Sequence, residues 1–475
     1  MTTRSNRVVM LFFILFLQIP RNRGASKMTT TWQQFDGKRL LRSELSNSSE
    51  EVTQLVNAGF LMQENGLIHV KGRMMCRRCG NDDPFLFAKH PCAKCQKTCT
   101  YCRHCLSLGK VSECGSLYRW TGKEQPMPQV KKSLMWQGEL SVGQQKASDA
   151  VIAAIWQKKS LLVWAVCGAG KTEVLFRGLE RAFEQGQRVL LATPRTDVVK
   201  ELYPRLKKSF PTVLISALYG GSKERHPCAQ FVIATTHQTM RFYKAFDVVI
   251  IDEVDAFPFS FDKSLQYAVT QAKKDPSATI YLSATPSRAL LRDPAIDIIK
   301  IPLRYHGFPL PDPRFSWCGN WSKTLKKKRL PQQIKSWLDH QHSQNKPALL
   351  FVPSISTLKT VSSILQNKKI THAHVHAEDP KRHEVIQSFR DQQIPLLVTT
   401  TILERGVTFK GVQVAVLGAE NDVFTEAALV QIAGRVGRSA QEPNGDIVFF
   451  HYGISQAMRA ARRHIQAMNQ EGMKK

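Results

Sequence analysis

The stretch Ala165-Val166-Cys167-Gly168-Ala169-Gly170-Lys171-Thr172 constrains this chain more than any other. It follows the apolar run Leu161–Val166 and precedes Glu173-Val174-Leu175-Phe176, whose spacing is helical. Strand, glycine-containing turn and helix in that order form the layout of a P-loop. Gly168 and Gly170 let the loop from Ala165 through Val166, Cys167 and Ala169 turn its N–H groups towards a phosphate chain. Lys171 is then placed to reach β- and γ-phosphates, and Thr172 to hold Mg2+ through its hydroxyl. The bland alternative is a plain strand-to-helix turn with a surface lysine.

The residues downstream argue against that alternative. Strands are expected at Arg188–Thr193, Val213–Leu218, Phe231–Thr235 and Thr279–Leu282, alternating with helical stretches. Val248-Val249-Ile250-Ile251 is four β-branched residues in a row, the pattern of a strand buried on both faces. A Pro- and Lys-rich connector runs from about Pro302 to Arg329. A second alternating block follows, with strands at Ala348–Val352, His372–His376, Leu396–Thr400, Gln413–Leu417 and Asp446–Phe450, then a last helix over Ile454–Met468. Two blocks of βα units predict an α/β chain with doubly wound parallel sheets.

Each block ends its strands in residues suited to phosphoryl chemistry. Asp252 and Glu253 follow the buried strand; Asp252 can hold Mg2+ and Glu253 can polarise a water. Gln431, Arg435 and Arg438 lie in Gln431-Ile432-Ala433-Gly434-Arg435-Val436-Gly437-Arg438. Placed three apart on one helical face, the two arginines can serve as fingers on a γ-phosphate held by the other block. Gln144, upstream of the loop, is a candidate adenine reader; a polar helix cap is the alternative. Ser283 and Thr285 are candidates for coupling ATP to a bound strand. Thr193, Arg195, Thr236 and Arg405 are candidates for phosphate contact along it.

The 67 Lys+Arg against 38 Asp+Glu, a net +29, point to an anionic partner, nucleic acid before anionic lipid. Eight cysteines fall between Cys76 and Cys114, mostly in C-x-x-C pairs. In a chain built to use ATP, this spacing indicates zinc in a reducing compartment rather than disulfides. The residues alone leave open which four bind it. Residues from Gln33 to Lys71 read as a small helical lead-in.

Near the start, Arg4 and Arg7 precede the apolar run Val8–Leu17, which is too short to span a bilayer as a helix. It is expected to be a weak tether, or to lie ahead of a true start at Met28.

These motifs resemble superfamily 2 DEAD/DEAH-type helicases over roughly Leu140–Arg438. Trp164-Ala165-Val166-Cys167-Gly168-Ala169-Gly170-Lys171-Thr172-Glu173, Ile251-Asp252-Glu253-Val254-Asp255-Ala256-Phe257-Pro258 and Thr401-Ile402-Leu403-Glu404-Arg405-Gly406-Val407-Thr408 narrow the resemblance. With the cysteine region in front, they are similar to the late competence protein ComFA family, across nearly all of 32–473. The resemblance implies two tandem RecA-like domains behind a small zinc module, and an ATP-driven motor drawing single-stranded DNA inward during natural transformation. It implies zinc on Cys76, Cys79, Cys102 and Cys105; the extra Cys92, Cys95, Cys99 and Cys114 leave a second zinc open. It also implies work at the inner membrane face with the partner ComFC and the channel ComEC, and it allows a homo-oligomer.

The expected division is a leader at 1–28, a lead-in at 29–72, a zinc module at 73–122, helicase domains at 130–303 and 330–475, and a connector at 304–329. Ile432 and Thr408 depart from the wider helicase pattern, so translocation with little or no duplex unwinding is expected. Competing readings are a primosomal replication-restart helicase, an RNA helicase, and a zinc-dependent scaffold with a vestigial motor.

Overall fold

The structure, a computed structural model, describes residues 33–474 except 224, 225 and 227. The leader expected at 1–28 lies outside the described residues.

Two parallel sheets form the two lobes. The first has seven strands in the order Ile215–Leu218, Phe231–Thr235, Val189–Thr193, Phe246–Ile251, Lys273–Ser283, Ser160–Ala165, Ile296–Ile301. The second has six, ordered Arg314–Trp317, Ile447–His451, Gln413–Leu417, Ala348–Phe351, Leu396–Thr399, Ala373–Val375. The central strands are buried on both faces, which is why they read as unbroken apolar runs. All their functional loops leave from the strands' C-terminal ends, so both lobes present them at one seam. A single apolar cluster crosses that seam, taking in Cys167 and Ala169 from one side and Ile432 and Ala433 from the other.

Two strands lie where none was expected. Ile296–Ile301 pairs with the P-loop strand, and Arg314–Trp317, inside the expected connector, pairs with Ile447–His451. Both are sheet edges with exposed polar positions such as Asp297 and Arg314, so their apolar signal is diluted. The helix expected from Ile454 begins at Gln456 and runs to Met473, capped by the Ser455 hydroxyl.

The N-terminal region is less helical than its sequence suggests. Only Ser49–Asn57 is α-helix, started by a Ser48/Glu51 capping box. Arg39–Leu41 and Leu61–Asn65 flank Ser116–Trp120 in an antiparallel sheet, so the chain before and after the cysteines closes into one body. That body is docked on the first lobe. One guanidinium nitrogen of the fully buried Arg78 donates to both Glu44 carboxylate oxygens, at 2.8 and 2.9 Å, and Arg241 makes a third contact at 3.3 Å. His104 meets Asp262 at 3.0 Å, and Gly80 lies so close to the Tyr267 ring that a Cβ there would sit 2.5 Å from it.

Candidate functional site

The P-loop strand ends at Ala165 and the next helix begins at Lys171, with Gly168 and Gly170 both at positive φ. Gly170 also leaves room for Gln144, whose Nε2 lies 2.4 Å from where a Cβ would stand and would have to shift. The Gln144 amide is occupied at both ends. Its oxygen accepts from the Ser141 N–H at 2.8 Å, and its nitrogen donates to the Ala169 carbonyl at 3.0 Å. It therefore both caps its helix and supports the loop.

Lys171, Thr172, Asp252, Glu253, Gln431, Arg435 and Arg438 line one cleft of about 160 Å3 between the lobes. Asp252 leaves the end of its strand, its N–H donating to the Ala192 carbonyl at 2.8 Å. Burial pushes its carboxyl up to about 6, against the pull of Lys171. Glu253 takes a left-handed backbone conformation, φ +51, which turns the chain sharply after the strand.

The two arginines are not on a helix. The helix Glu426–Ala433 ends at Gly434, and both follow in the turn that contains Gly437 at φ +67. Arg435 is fully buried and donates to the carbonyls of Glu404 (3.1 Å) and Val407. Arg438 donates to the Gly434 carbonyl at 2.9 Å and to the Thr408 hydroxyl at 3.2 Å. Burial, with Arg438 nearby, lowers the Arg435 pKa. An incoming anion is thus the natural counter-charge for the pair. Across the seam Cys167 donates through its thiol to the Gln431 carbonyl oxygen at 3.0 Å, and a Cβ on Gly434 would lie 2.2 Å from the Cys167 Cβ.

The coupling candidates converge on Asp255, a residue the sequence gives no role of its own. Asp255 accepts from the Ser283 hydroxyl at 2.5 Å, from the Thr285 hydroxyl at 2.6 Å, and from Arg405 of the second lobe. Burial would raise this carboxyl, but the Arg405 guanidinium and the two hydroxyls hold it below the usual range. Two carboxylates three residues apart are therefore pushed in opposite directions.

The strand-contact candidates are placed less openly. Thr193 and Thr236 are fully buried. Arg195 is turned to the second lobe, donating to the Ile402 carbonyl at 3.1 Å and pairing with Glu404 at 3.3 Å.

Arg304 was also missed. Buried in the expected connector, it donates to the carbonyls of Val436 (2.8 Å), Pro443 (2.7 Å) and Gly437, while the Tyr305 N–H donates to the Gly168 carbonyl at 3.1 Å. The connector so ties the P-loop to the arginine turn. Its only sequence signal is an arginine within Arg304-Tyr305-His306-Gly307.

The eight clustered cysteines form two groups among the described residues: Cys76, Cys79, Cys102, Cys105, and Cys92, Cys95, Cys99, Cys114. In the first, Cys76–Cys105 and Cys79–Cys102 sulfurs are each 3.7 Å apart. Four thiolates at about 2.3 Å from a tetrahedral Zn2+ are about 3.8 Å from one another, so the residues fit a structural zinc. No helix among the described residues is long and apolar enough to cross a membrane.

Three family models match the chain: the competence protein ComFA N-terminal domain at residues 25–119, the DEAD/DEAH box helicase at 144–292, and the helicase conserved C-terminal domain at 326–440. A competence protein ComFA of Bacillus subtilis (strain 168) is 47% identical over 458 residues, covering 96% of this chain and 98% of that protein. One from Streptococcus pneumoniae (strain ATCC BAA-255 / R6) is 38% identical, covering 84% and 91%. Among solved structures, S. cerevisiae Dbp5 bound to RNA and ADP BeF3 superposes with a TM-score of 0.51 at 12% identity, over 70% of this chain and 92% of that one. At that identity the likeness concerns the fold.

Proposed function

Because the chain belongs to the competence protein ComFA family and carries both DEAD/DEAH helicase domains, we propose that it is an ATP-driven motor on single-stranded DNA, serving DNA uptake in natural transformation. The observation that carries this reading is the interlobe cleft where Lys171 and the Asp252–Glu253 pair face Arg435 and Arg438.

In this reading the loop from Ala165 to Thr172 cradles the phosphates, Lys171 neutralises their charge, and Gln144 supports the loop beside the base. Thr172 and Asp252 would hold Mg2+, which when bound supplies charge neutralisation on the β- and γ-oxygens. Glu253 orients and polarises the attacking water. Arg435 and Arg438 turn from their carbonyl partners to the γ-phosphate as negative charge builds there. Arg405, Ser283 and Thr285, joined through Asp255, relay lobe closure to a strand running past the loops that carry Thr193, Arg195 and Thr236.

The working division is a zinc module at 73–122 with its lead-in at 29–72 and motor domains at 130–303 and 314–475; because Arg314–Trp317 is an edge strand of the second sheet, the connector expected at 304–329 shortens to 304–313. Cys76, Cys79, Cys102 and Cys105 hold zinc. The motor works in the cytoplasm at the inner membrane face, with ComFC and the ComEC channel as partners and self-association as a further contact.

The test is ATP turnover by the purified chain with single-stranded DNA, duplex DNA or RNA, over a salt series. Single-stranded DNA should stimulate most, and the effect should weaken as salt rises. Equal or greater stimulation by RNA would reject the reading.

A further inference from the structure

The zinc reading above uses four thiols and leaves four. Cys92-Ala93-Lys94-Cys95 sits at the tip of the hairpin made by Phe87–Pro91 and Thr98–Cys102, with Cys99 and Cys114 beside it. Its backbone repeats the turn of the first pair. The Gly80 N–H donates to the Cys76 carbonyl at 2.7 Å with Gly80 at φ +71; the Gln96 N–H donates to the Cys92 carbonyl at 2.9 Å with Gln96 at φ +55. A glutamine in the left-handed region carries a steric cost of about 1–2 kcal/mol, which the turn's own hydrogen bonds and whatever joins its cysteines must offset.

The sulfur geometry names what holds it. Cys92 and Cys114 sulfurs are 3.6 Å apart, and all four sulfurs lie within 4.8 Å of one another. That is too far for a disulfide at about 2.0 Å and close to the edge of a zinc tetrathiolate at about 3.8 Å. The charge around the tip agrees. From Pro84 to Ser112 there is no Asp or Glu, while Lys89, Lys94, Lys97, Arg103 and Lys110 all fall there; the one carboxylate adjoining the group, Glu113, accepts from the Thr100 N–H at 2.6 Å. Four thiolates on one Zn2+ leave a net charge of about −2, which such a surround stabilises.

We propose that Cys92, Cys95, Cys99 and Cys114 bind a second Zn2+, so that each chain carries two. The strand Thr98–Cys102 supplies Cys99 to one ion and Cys102 to the other, and the hairpin is pinned at both ends. The two sites differ in access. Cys76, Cys79, Cys102 and Cys105 are at most 1% exposed, whereas Cys92, Cys95 and Cys114 are partly open. The distal ion is accordingly the first to be released by a thiol reagent.

The experiment is mercurial titration of the full-length chain with a chromophoric chelator reading zinc. Two equivalents should appear, in a fast and a slow phase. Cys92→Ser combined with Cys114→Ser should lose the fast phase and release one. A wild-type chain releasing a single equivalent, or a double variant still releasing two, would overturn the proposal. Should the double variant not fold, Co2+ replacement in the wild-type chain decides: two equivalents with thiolate charge-transfer absorption support it, and one rejects it.

Discussion

Arg405 of the second lobe lays its buried guanidinium against the Asp255 carboxylate of the first, with Glu253 3.6 Å from the same group. Ser283 and Thr285 hold the other side of that carboxylate. One ion pair thus joins the acidic turn after Asp252, the strand end beside it, and the opposite lobe.

Removing one partner of a buried pair strands the other, at about 3–5 kcal/mol. Arg405→Gln should lower stability by that order and reduce stimulation of ATP turnover by single-stranded DNA about tenfold. Asp255→Asn should do much the same. The double variant should cost less than the sum by a coupling energy of roughly 0.5–3 kcal/mol, the range seen for contacting residues. Additive losses in urea unfolding would show that the two do not act together.

Gly434 has no room for a methyl group, because its Cβ would stand 2.2 Å from the Cys167 Cβ on the other lobe. Gly434→Ala is expected to hold the lobes apart and cut turnover about tenfold or more, since misplacement by about 1 Å can cost two orders of magnitude. Each lobe should still fold. Cys167→Gly in the same chain removes the obstructing Cβ and should restore part of the rate, measured as kcat with saturating ATP.

Arg435→Lys keeps a charge but loses the planar fork that reaches the Glu404 and Val407 carbonyls. If its guanidinium serves the transferring phosphoryl group, turnover should fall about 10^3-fold. Nucleotide affinity, measured by a fluorescent ATP analogue, should change only a few-fold. A tenfold or smaller loss of turnover would assign it a supporting role in the fold of the turn.

Lys38 offers a pH signature far from the cleft. Burial, with Arg188 and Arg241 adding to it, depresses its pKa to about 8, and Asp36 and Cys228 only partly oppose this. The unfolded value is about 10.4. Between those two values the unfolded chain binds more protons, so stability rises with pH across that window, and below about 8 the penalty is constant. Lys38→Met should therefore stabilise the protein at pH 7 by about 1–2 kcal/mol and flatten the rise, as read by urea unfolding at pH 7 and 9.5.

What could be read from residues alone follows burial. Val248-Val249-Ile250-Ile251 and the P-loop strand announce themselves because both faces are covered. Edge strands such as Ile296–Ile301 do not, since one side meets water and tolerates Asp297 and Lys300. The sheet that pairs Arg39–Leu41 and Leu61–Asn65 with Ser116–Trp120 escapes for another reason: short strands distant in sequence leave no local period. At the cleft, Lys171, Asp252 and Glu253 could be named from their spacing. Arg304 and the meeting of four side chains at Asp255 could not, because long-range contacts have no motif.

The close approach of Gly434 to Cys167 brings the two lobes together at the edge of the nucleotide cleft. A cleft of about 160 Å3 is smaller than the roughly 300 Å3 at which small-molecule pockets begin. A nucleotide held there would be gripped from both lobes, so its release would call for the seam to widen, a motion of the microsecond-to-millisecond kind. Whatever strains that seam, including a strand pulled taut across both lobes, then regulates exchange without touching the phosphates at all.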